Sequence, residues 1–224
     1  QIMVFAYPTG LPIIFNAHLL RDRLAAYRAV HDPDGRNPNL RRTVLVGHSM
    51  GGLLSNLQIR QSGDRLRSVF LAKPIEQFTQ LDESQRELIR SVMEFEPNPD
   101  IRRVVFVAAP HRGSDLASRV IGRIGASLVR LPQRIVSGSV RAAGLDGLTE
   151  HGREALQNPP NSITQLEPRS PVLLATLEMP VSKRVDFHSI IGKVEPDLPV
   201  EQSSDRVVPY WSSHLPGAQS EKTV

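Results

Sequence analysis

The sequence contains no cysteine, and this absence excludes several kinds of chemistry at once. A chain without cysteine has no disulfide framework, no thiolate ligand for a metal ion and no cysteine nucleophile, and its redox compartment stays open. The seven histidines form no H-x-x-x-H pair or similar spacing, so the sequence predicts no metal site. No apolar run is long enough to cross a bilayer as a helix.

An excess of charge of one sign is also missing. The chain has 27 basic and 23 acidic residues, which leaves a formal net charge of only +4. Because the arginines are scattered and no nucleic-acid-binding motif is present, we expect no nucleic-acid partner. The 224 residues, 40% of them hydrophobic, are enough to bury a sizeable core, so residues 1–224 are predicted to form one α/β domain.

The most informative stretch surrounds a serine. Residues 43–46 (TVLV) are typical of a strand that is buried on both faces of a parallel sheet, and apolar positions recur at helical spacing from Leu53. Between them, residues 47–51 (GHSMG) fit G-x-S-x-G, in which the serine lies at a strained strand-to-helix turn called the nucleophile elbow. Ser49 is therefore predicted to be a nucleophile, with the Met50 N–H as an oxyanion donor. The alternative is a glycine-rich turn without a chemical role.

Strands and helices alternate along the chain, which predicts an α/β fold with a mostly parallel sheet flanked by helices. The predicted elements are a strand at 2–7, a helix near 17–30, the strand and helix around Ser49, a helix at 83–93, and strands at 103–109, 185–192 and 218–224. Residues 116–180 lack a strong strand signal, and we expect them to form a helical cap or lid inserted over the site. Both termini look cut, so we expect the chain to be a fragment of a longer protein.

Three motifs occur in a characteristic order: GHSMGG at residues 47–52, APHRGS at 109–114 and SSDRVVPYWSSHL at 203–215. Together with YPTG at residues 7–10, they resemble α/β-hydrolases of the lipase/esterase type, and in particular the bacterial group related to GPI inositol-deacylases. The resemblance implies an α/β-hydrolase fold and hydrolysis of a small-molecule or lipid carboxylic ester by a Ser–acid–His triad, through an acyl-enzyme on Ser49 and without a cofactor.

The acid of such a triad is expected in a loop after a late strand, because these hydrolases run in the order serine, acid, histidine. Asp205 lies in a loop that matches the family's S-D-x-V-V-P pattern, and it would hold the tautomer of the histidine. Two alternatives stay open. Asp205 could be a helix N-cap or a surface residue, and Asp115 is the second candidate for the acid.

The histidine of the triad is expected just after the last strand, yet no histidine follows residues 218–224. His214 precedes that strand, at what looks like the end of a helix, so we expect a structural or surface role for it. The base is therefore predicted beyond Val224 and the second oxyanion donor before Gln1. On this hypothesis the chain by itself is inactive.

Three further residues are predicted to contact substrate. His48 is the variable residue of the elbow and is expected to pack beside the serine. His111 and Arg112 follow a strand at its carboxyl end, where ligands bind in such sheets, although bracing of the loop explains them equally well.

Residues 116–135 have apolar side chains at helical spacing with arginines between them, which predicts a basic amphipathic helix. The helix would either pack as part of the cap or make peripheral contact with an anionic membrane. Localisation stays open between a bacterial cytoplasm and the cell envelope. The competing function is a non-catalytic binding protein with a hydrolase-like fold, because a fold does not determine a function.

Overall fold

The structure, a computed structural model, describes residues 2–115 and 145–224. Within these ranges four strands form one sheet in the order β1-β2-β3-β4, and each neighbouring pair is parallel. The strands are β1 Thr43–His48, β2 Ile101–Val107, β3 Asp186–Ile191 and β4 Ser220–Thr223. Because parallel strands require long crossover connections, the helices lie between them in sequence.

The helices of the described residues follow the predicted alternation. They are α1 Ile13–His31, α2 Met50–Asn56, α3 Arg65–Phe70, α4 Glu83–Met93, α5 Glu150–Gln157, α6 Pro171–Glu178 and α7 Tyr210–Ser213. Short 3-10 turns lie at Leu40–Arg42, Ile75–Gln77, Leu145–Gly147, Thr164–Leu166 and Val200–Gln202. The predicted helix at 83–93 is confirmed as α4, which begins with a reciprocal capping box between Asp82 and Gln85. None of these helices is long and apolar enough to span a membrane.

The three late strands are confirmed as β2, β3 and β4, but the predicted first strand at 2–7 is wrong. This segment pairs with no strand of the described sheet, and Ile2 and Val4 are 94% and 91% exposed. Phe5 and Tyr7 instead turn inward and pack against the helical core. An apolar run becomes a strand only where a neighbouring strand accepts its backbone hydrogen bonds.

The two faces of the sheet differ. The face that carries Val104, Phe106 and Phe187 is buried against helices and loops, with these side chains at most 6% exposed. On the opposite face Val44 and Val46 of β1 are 51% and 70% exposed. The prediction that β1 is buried on both faces is therefore wrong for the described residues, because no described element covers this second face.

The described part of the predicted cap belongs to the main body. Leu166, Val172, Leu173 and Met179 lie in the same buried cluster as the apolar side chains of α2. The rest of the predicted cap, and the predicted amphipathic helix at 116–135, lie outside the described residues. A parallel sheet flanked by helices, with a sharp turn between β1 and α2, is the architecture of the α/β-hydrolase fold, as predicted.

Candidate functional site

Ser49 has an unusual backbone conformation, with φ 51° and ψ −125°. A positive φ is uncommon for any residue other than glycine, and holding one costs about 1–3 kcal/mol. Two hydrogen bonds hold this turn, from the Ser49 N–H to the Val107 carbonyl (2.9 Å) and from the Gly52 N–H to the Ser49 carbonyl (2.9 Å). The Ser49 hydroxyl is partly exposed and has no hydrogen bond to a described residue. We call residues 47–52 the serine turn.

Two glycines of the serine turn are required by close packing. A Cβ atom on Gly47 would lie 2.5 Å from the Gly51 carbonyl oxygen and 2.6 Å from the Cα of Gly52, so no side chain fits. A Cβ atom on Gly52 would collide with the Cβ of Ala109, in the loop after β2. The glycines therefore allow α2 to lie directly against β1 and the loop after β2.

Asp205 lies at the same edge of the sheet as Ser49. The carboxyl ends of the parallel strands meet at this edge, where the Ala108 N–H donates to the Ile190 carbonyl (2.9 Å). Asp205 packs against Gly192, just after β3, so closely that a Cβ on Gly192 would lie 2.5 Å from the Cβ of Asp205. Ser49 and Gly192 follow strands two positions apart, which separates their backbones by about 10 Å at a strand spacing of about 4.8 Å. An imidazole between serine and carboxylate needs a gap of this order.

One carboxylate oxygen of Asp205 accepts hydrogen bonds from the backbone of its own loop. Oδ1 accepts hydrogen bonds from the N–H groups of Val207 (2.8 Å) and Val208 (2.6 Å), which is an Asx-type turn. Oδ2 accepts no hydrogen bond from a described residue. The next helix, α7, has Pro209 as its N-cap residue, so Asp205 does not cap it. Asp115, the alternative acid, is exposed just after the loop that follows β2.

His48 is the last residue of β1, and its neighbours indicate which face of the sheet its side chain occupies. Gly47 faces α2, and successive side chains of a strand point to opposite faces. The exposed His48 side chain therefore points to the open face of the sheet, away from α2. This position gives no support for packing beside the serine or for contact with substrate, and both stay predictions.

His111 is buried, with only 1% of its surface exposed. Its ring contacts Phe106 edge-on, with the centroids 4.7 Å apart. The Asn56 amide lies 3.3 Å from His111 Nδ1, and because Asn56 Oδ1 already accepts from Arg60, the Asn56 NH₂ group donates to the imidazole. Burial, and then the charges of Arg60 and Arg112, lower the pKa of His111 to about 3. A neutral, buried imidazole fits the bracing alternative and does not fit contact with substrate.

Arg112 also braces the loop. Its guanidinium donates to the carbonyls of Trp211 (2.9 Å) and His214, and its backbone N–H donates to Ser212 Oγ (3.2 Å). These bonds tie the loop after β2 to α7. They occupy the Nη1 end of the guanidinium, so the substrate contact predicted for Arg112 gains no support.

Sequence reasoning missed the buried polar residues that support α2. Asn56, Gln58 and Arg60 are polar residues at and just after the end of α2, but the structure leaves only 1%, 0% and 3% of their surfaces exposed. Arg60 donates to Asn56 Oδ1 (2.7 Å) and to the carbonyls of Leu177 and Met179. Burial lowers its pKa to about 10, so Arg60 stays cationic at neutral pH. No local pattern separates this buried face from a solvated one.

The seven histidines all lie in the described ranges, and none is hydrogen-bonded to Ser49 or Asp205. His214 ends α7, and its Nδ1 lies 2.7 Å from Glu221 Oε2. His188, on β3, is partly exposed, and its Nδ1 lies 2.8 Å from Ser220 Oγ. The location of the base beyond Val224 stays a prediction. Among the described residues, no group of three or more His, Asp or Glu side chains is placed to hold a metal ion.

Tyr7 is a further residue that the sequence patterns did not indicate as part of the site. Its hydroxyl lies beside Gly51, 3.8 Å from the position that a Cβ on that glycine would take. The YPTG segment contributes to the family resemblance, but no local pattern predicts that residue 7 lies beside the serine turn.

Solved structures similar to this chain include two forms of lipase BlEst2 and EstA. Lipase BlEst2 from Bacillus licheniformis matches in its propeptide form at 15% identity over 96% of this chain and 36% of that chain, with a TM-score of 0.45. The mature form of BlEst2 matches at 17% identity over 96% of this chain and 67% of that chain, with a TM-score of 0.44. EstA from Clostridium botulinum matches at 13% identity over 83% of this chain and 58% of that chain, with a TM-score of 0.40.

No protein-family model matches the sequence, and no curated protein matches it. None of the three similar structures is described as a GPI inositol-deacylase, so that relation stays a prediction. The chain spans 36% of the propeptide form of BlEst2, and identities of 13–17% do not carry an activity or a site residue from one protein to another. The function is therefore argued from the site of this chain itself.

Proposed function

We propose that this chain forms the catalytic part of a serine hydrolase that cleaves carboxylic esters, with Ser49 as the nucleophile. The observation that carries the proposal is the strained backbone of Ser49, whose hydroxyl is unpaired at the carboxyl edge of the sheet. A turn without a chemical role would relieve the strain of about 1–3 kcal/mol with a glycine at this position. The serine turn would then be a nucleophile elbow.

The reaction uses groups that the site holds, together with an imidazole base. Ser49 Oγ attacks the acyl carbon while its proton passes to the imidazole, and the electron pair of the carbonyl moves onto the oxygen. The Met50 N–H, at the start of α2, donates to this oxyanion. The imidazole then returns the proton to the leaving alkoxide as the acyl–oxygen bond breaks. Water repeats the sequence on the acyl-enzyme and releases the carboxylic acid.

Asp205 is the acid of the proposed triad. Its Oδ1 is held by Val207 and Val208, which leaves Oδ2 to accept from the Nδ1–H of the imidazole and to fix its tautomer. The substrate class is a small-molecule or lipid ester. The chemistry requires no cofactor. Peripheral membrane contact was predicted for residues that lie outside the described ranges.

One observation favours the alternative, a non-catalytic binding protein with a hydrolase-like fold. None of the seven histidines is hydrogen-bonded to Ser49 or Asp205 in the described residues. Without a base the serine hydroxyl stays protonated and reacts slowly. We therefore expect the active protein to bring its imidazole from another segment.

A fluorophosphonate probe tests the proposal, because it reacts covalently with an activated serine. The probe and a short-chain p-nitrophenyl ester are applied to the 224-residue chain and to a version extended at both ends. We expect the extended protein to be labelled on Ser49 and to hydrolyse the ester. Ser49→Ala should abolish both, whereas Ser68→Ala, which changes an exposed serine of α3, should change neither.

Two outcomes would contradict the proposal. Undiminished labelling and turnover in Ser49→Ala would exclude this nucleophile. An extended protein that is never labelled but binds the ester would support the non-catalytic alternative.

A further inference from the structure

Tyr7 brings a phenol to the serine turn from a distant part of the sequence. The hydroxyl is 3.8 Å from the position of a Cβ on Gly51, two residues beyond Ser49. Apart from its chain neighbours and the backbone of α2, no other heavy atom of the described residues lies within 4 Å of that position. The space beside Gly51 is therefore open, and the Tyr7 hydroxyl borders it.

The Tyr7 hydroxyl has no hydrogen bond to a described residue, although Tyr7 itself is only partly exposed. A buried hydroxyl of this kind normally finds a partner, because an unmade hydrogen bond costs free energy. A half-buried hydroxyl that keeps one side open is available to a ligand. The ring is stacked against Phe5, with centroids 5.6 Å apart, and packs on the helical core, which fixes its position.

Buried polar side chains hold the loop that follows Tyr7 by hydrogen bonds. Asn16 is fully buried, and its Nδ2 donates to the carbonyls of Pro8 (2.9 Å) and Leu11 (3.3 Å) and contacts Ser162 Oγ (3.1 Å). The buried Ser162 in turn donates its N–H to the Thr9 carbonyl (3.3 Å). Tyr7 therefore stands on a loop that is held by the interior, which is the kind of support that a precisely placed donor needs.

We propose that Tyr7 is a catalytic residue that donates a hydrogen bond from Oη to the oxyanion formed when Ser49 attacks the ester. This inference rests on the proposed function and adds a donor to the Met50 N–H, separate from the donor predicted before Gln1. Tyrosine hydroxyls serve as oxyanion donors because they are fixed in position before charge develops. No covalent bond to Tyr7 forms or breaks in this step, and its proton stays on the phenol.

The ionisation of Tyr7 is compatible with this role. Burial raises its pKa above the ordinary value of 10.0, so the phenol keeps its proton at neutral and mildly alkaline pH. A donor that has no partner in the free protein also loses no hydrogen bond when the substrate arrives. The packing of Tyr7 requires only its ring, so replacement by phenylalanine removes the donor and leaves the stacking on Phe5.

The test compares Tyr7→Phe with Tyr27→Phe in the extended, active protein. Tyr27→Phe is a matched control, because it also removes a tyrosine hydroxyl but far from the serine turn. Tyr27 lies on α1, about 20 Å along the helix from Ile13. We expect Tyr7→Phe to lower kcat on a p-nitrophenyl ester by about 100- to 1,000-fold, with KM changed less than about twofold. Binding of a trifluoromethyl ketone, which forms a hemiketal with the serine, should weaken by a similar factor.

A purely structural role would give different results. Tyr7→Phe should unfold at the same temperature as the original protein. A lowered Tm, together with equal losses of activity on all substrates, would overturn the inference. Unchanged kcat, or a raised KM with unchanged kcat, would overturn it as well. Ser49→Ala separates the two proposals: if it stays active the proposed function has failed, and if it is inactive while Tyr7→Phe keeps full activity only the role of Tyr7 has failed.

Discussion

At the scale of the residue, the fold sets the backbone conformation of Ser49 and the protonation state of His111. The hydroxyl of Ser49 is presented by a backbone with φ 51°, which the hydrogen bonds of the turn maintain. His111 is kept neutral because the interior offers its ring a hydrogen bond from Asn56 and no carboxylate among the described residues. The backbone of Ser49 costs free energy that the surrounding packing must supply, and burial disfavours the protonated form of His111.

The state of His111 predicts a pH dependence of stability. Its pKa is lowered to about 3 in the folded protein from an ordinary value of 6.5, so between these values the unfolded chain binds a proton that the folded chain does not. The free energy of unfolding should therefore fall as the pH is lowered from 6.5, with His111 contributing up to about 1.4 kcal/mol per pH unit. Urea unfolding at several values between pH 7 and pH 4 measures this slope.

The control is His111→Gln, whose amide can still accept from Asn56 but does not titrate. As the pH is lowered, the free energy of unfolding of this variant should fall less steeply than that of the original protein. The two slopes should differ by up to about 1.4 kcal/mol per pH unit, the contribution of one proton. Identical pH dependence in both proteins would mean that His111 is not the neutral, buried group described above.

At the scale of the element, the junction of β1 and α2 depends on only some of its glycines. Gly51 has room for a methyl group, since the nearest atom outside its own helix and its chain neighbours is the Tyr7 hydroxyl at 3.8 Å. Gly52 has none, because Ala109 occupies the space. The two glycines are adjacent on the same helix, which makes them a matched pair.

We expect Gly51→Ala to be tolerated and Gly52→Ala to be destabilising. Alanine inside a helix is favoured over glycine by about 0.5–1 kcal/mol, so Gly51→Ala should be neutral or stabilising. Gly52→Ala forces α2 away from the loop after β2 and should lower the free energy of unfolding by about 1–3 kcal/mol. Denaturant unfolding of both variants decides this, and equal losses would show that the close approach of Gly52 to Ala109 is wrong.

The buried polar residues behind α2 belong to the same scale. Arg60 connects the end of α2 to the carbonyls that follow α6, and Asn56 connects Arg60 to His111. Because no carboxylate pairs with Arg60 in the described residues, its charge is balanced by carbonyl and amide dipoles alone. The segment below the serine turn is thereby joined at two points to the crossover connection between β2 and β3.

At the scale of the whole molecule, one face of the sheet is covered, and on the other face no described element covers β1. Val104 is 0% exposed and Val46, on the neighbouring strand but the opposite face, is 70% exposed. Replacing each valine by threonine compares the two faces directly. Threonine has nearly the same shape as valine but carries a hydroxyl in place of one methyl group.

Val46→Thr should change the free energy of unfolding of the 224-residue chain by less than about 0.5 kcal/mol, as exposed substitutions usually do. Val104→Thr should cost about 1–3 kcal/mol, because its hydroxyl is buried without a partner. Denaturant unfolding measures both. If the two substitutions cost the same, the face that carries Val46 is covered, contrary to the description above.

Local sequence patterns were sufficient for several elements. Helix α4 was predicted with its observed bounds, and β2 and β3 were predicted to within two residues, because their periodicity and their polar flanks are local properties. The serine at the turn between a strand and a helix was predicted for the same reason, since glycine, serine and glycine at fixed spacing specify a backbone conformation.

Only the tertiary structure decided which faces are covered and which distant groups meet. A pattern of apolar residues indicates a strand, but pairing depends on a neighbour, so residues 2–7 pair with no described strand, and no described element covers one face of β1. The polar residues after Leu54 are buried because α6, the loop after β2 and α1 supply their hydrogen-bond partners. Tyr7 reaches Gly51 across 44 positions of sequence because the hydrogen bonds of Asn16 hold its loop. Contacts of this kind are set by the packing of segments that are far apart in the chain, and no local spacing encodes them.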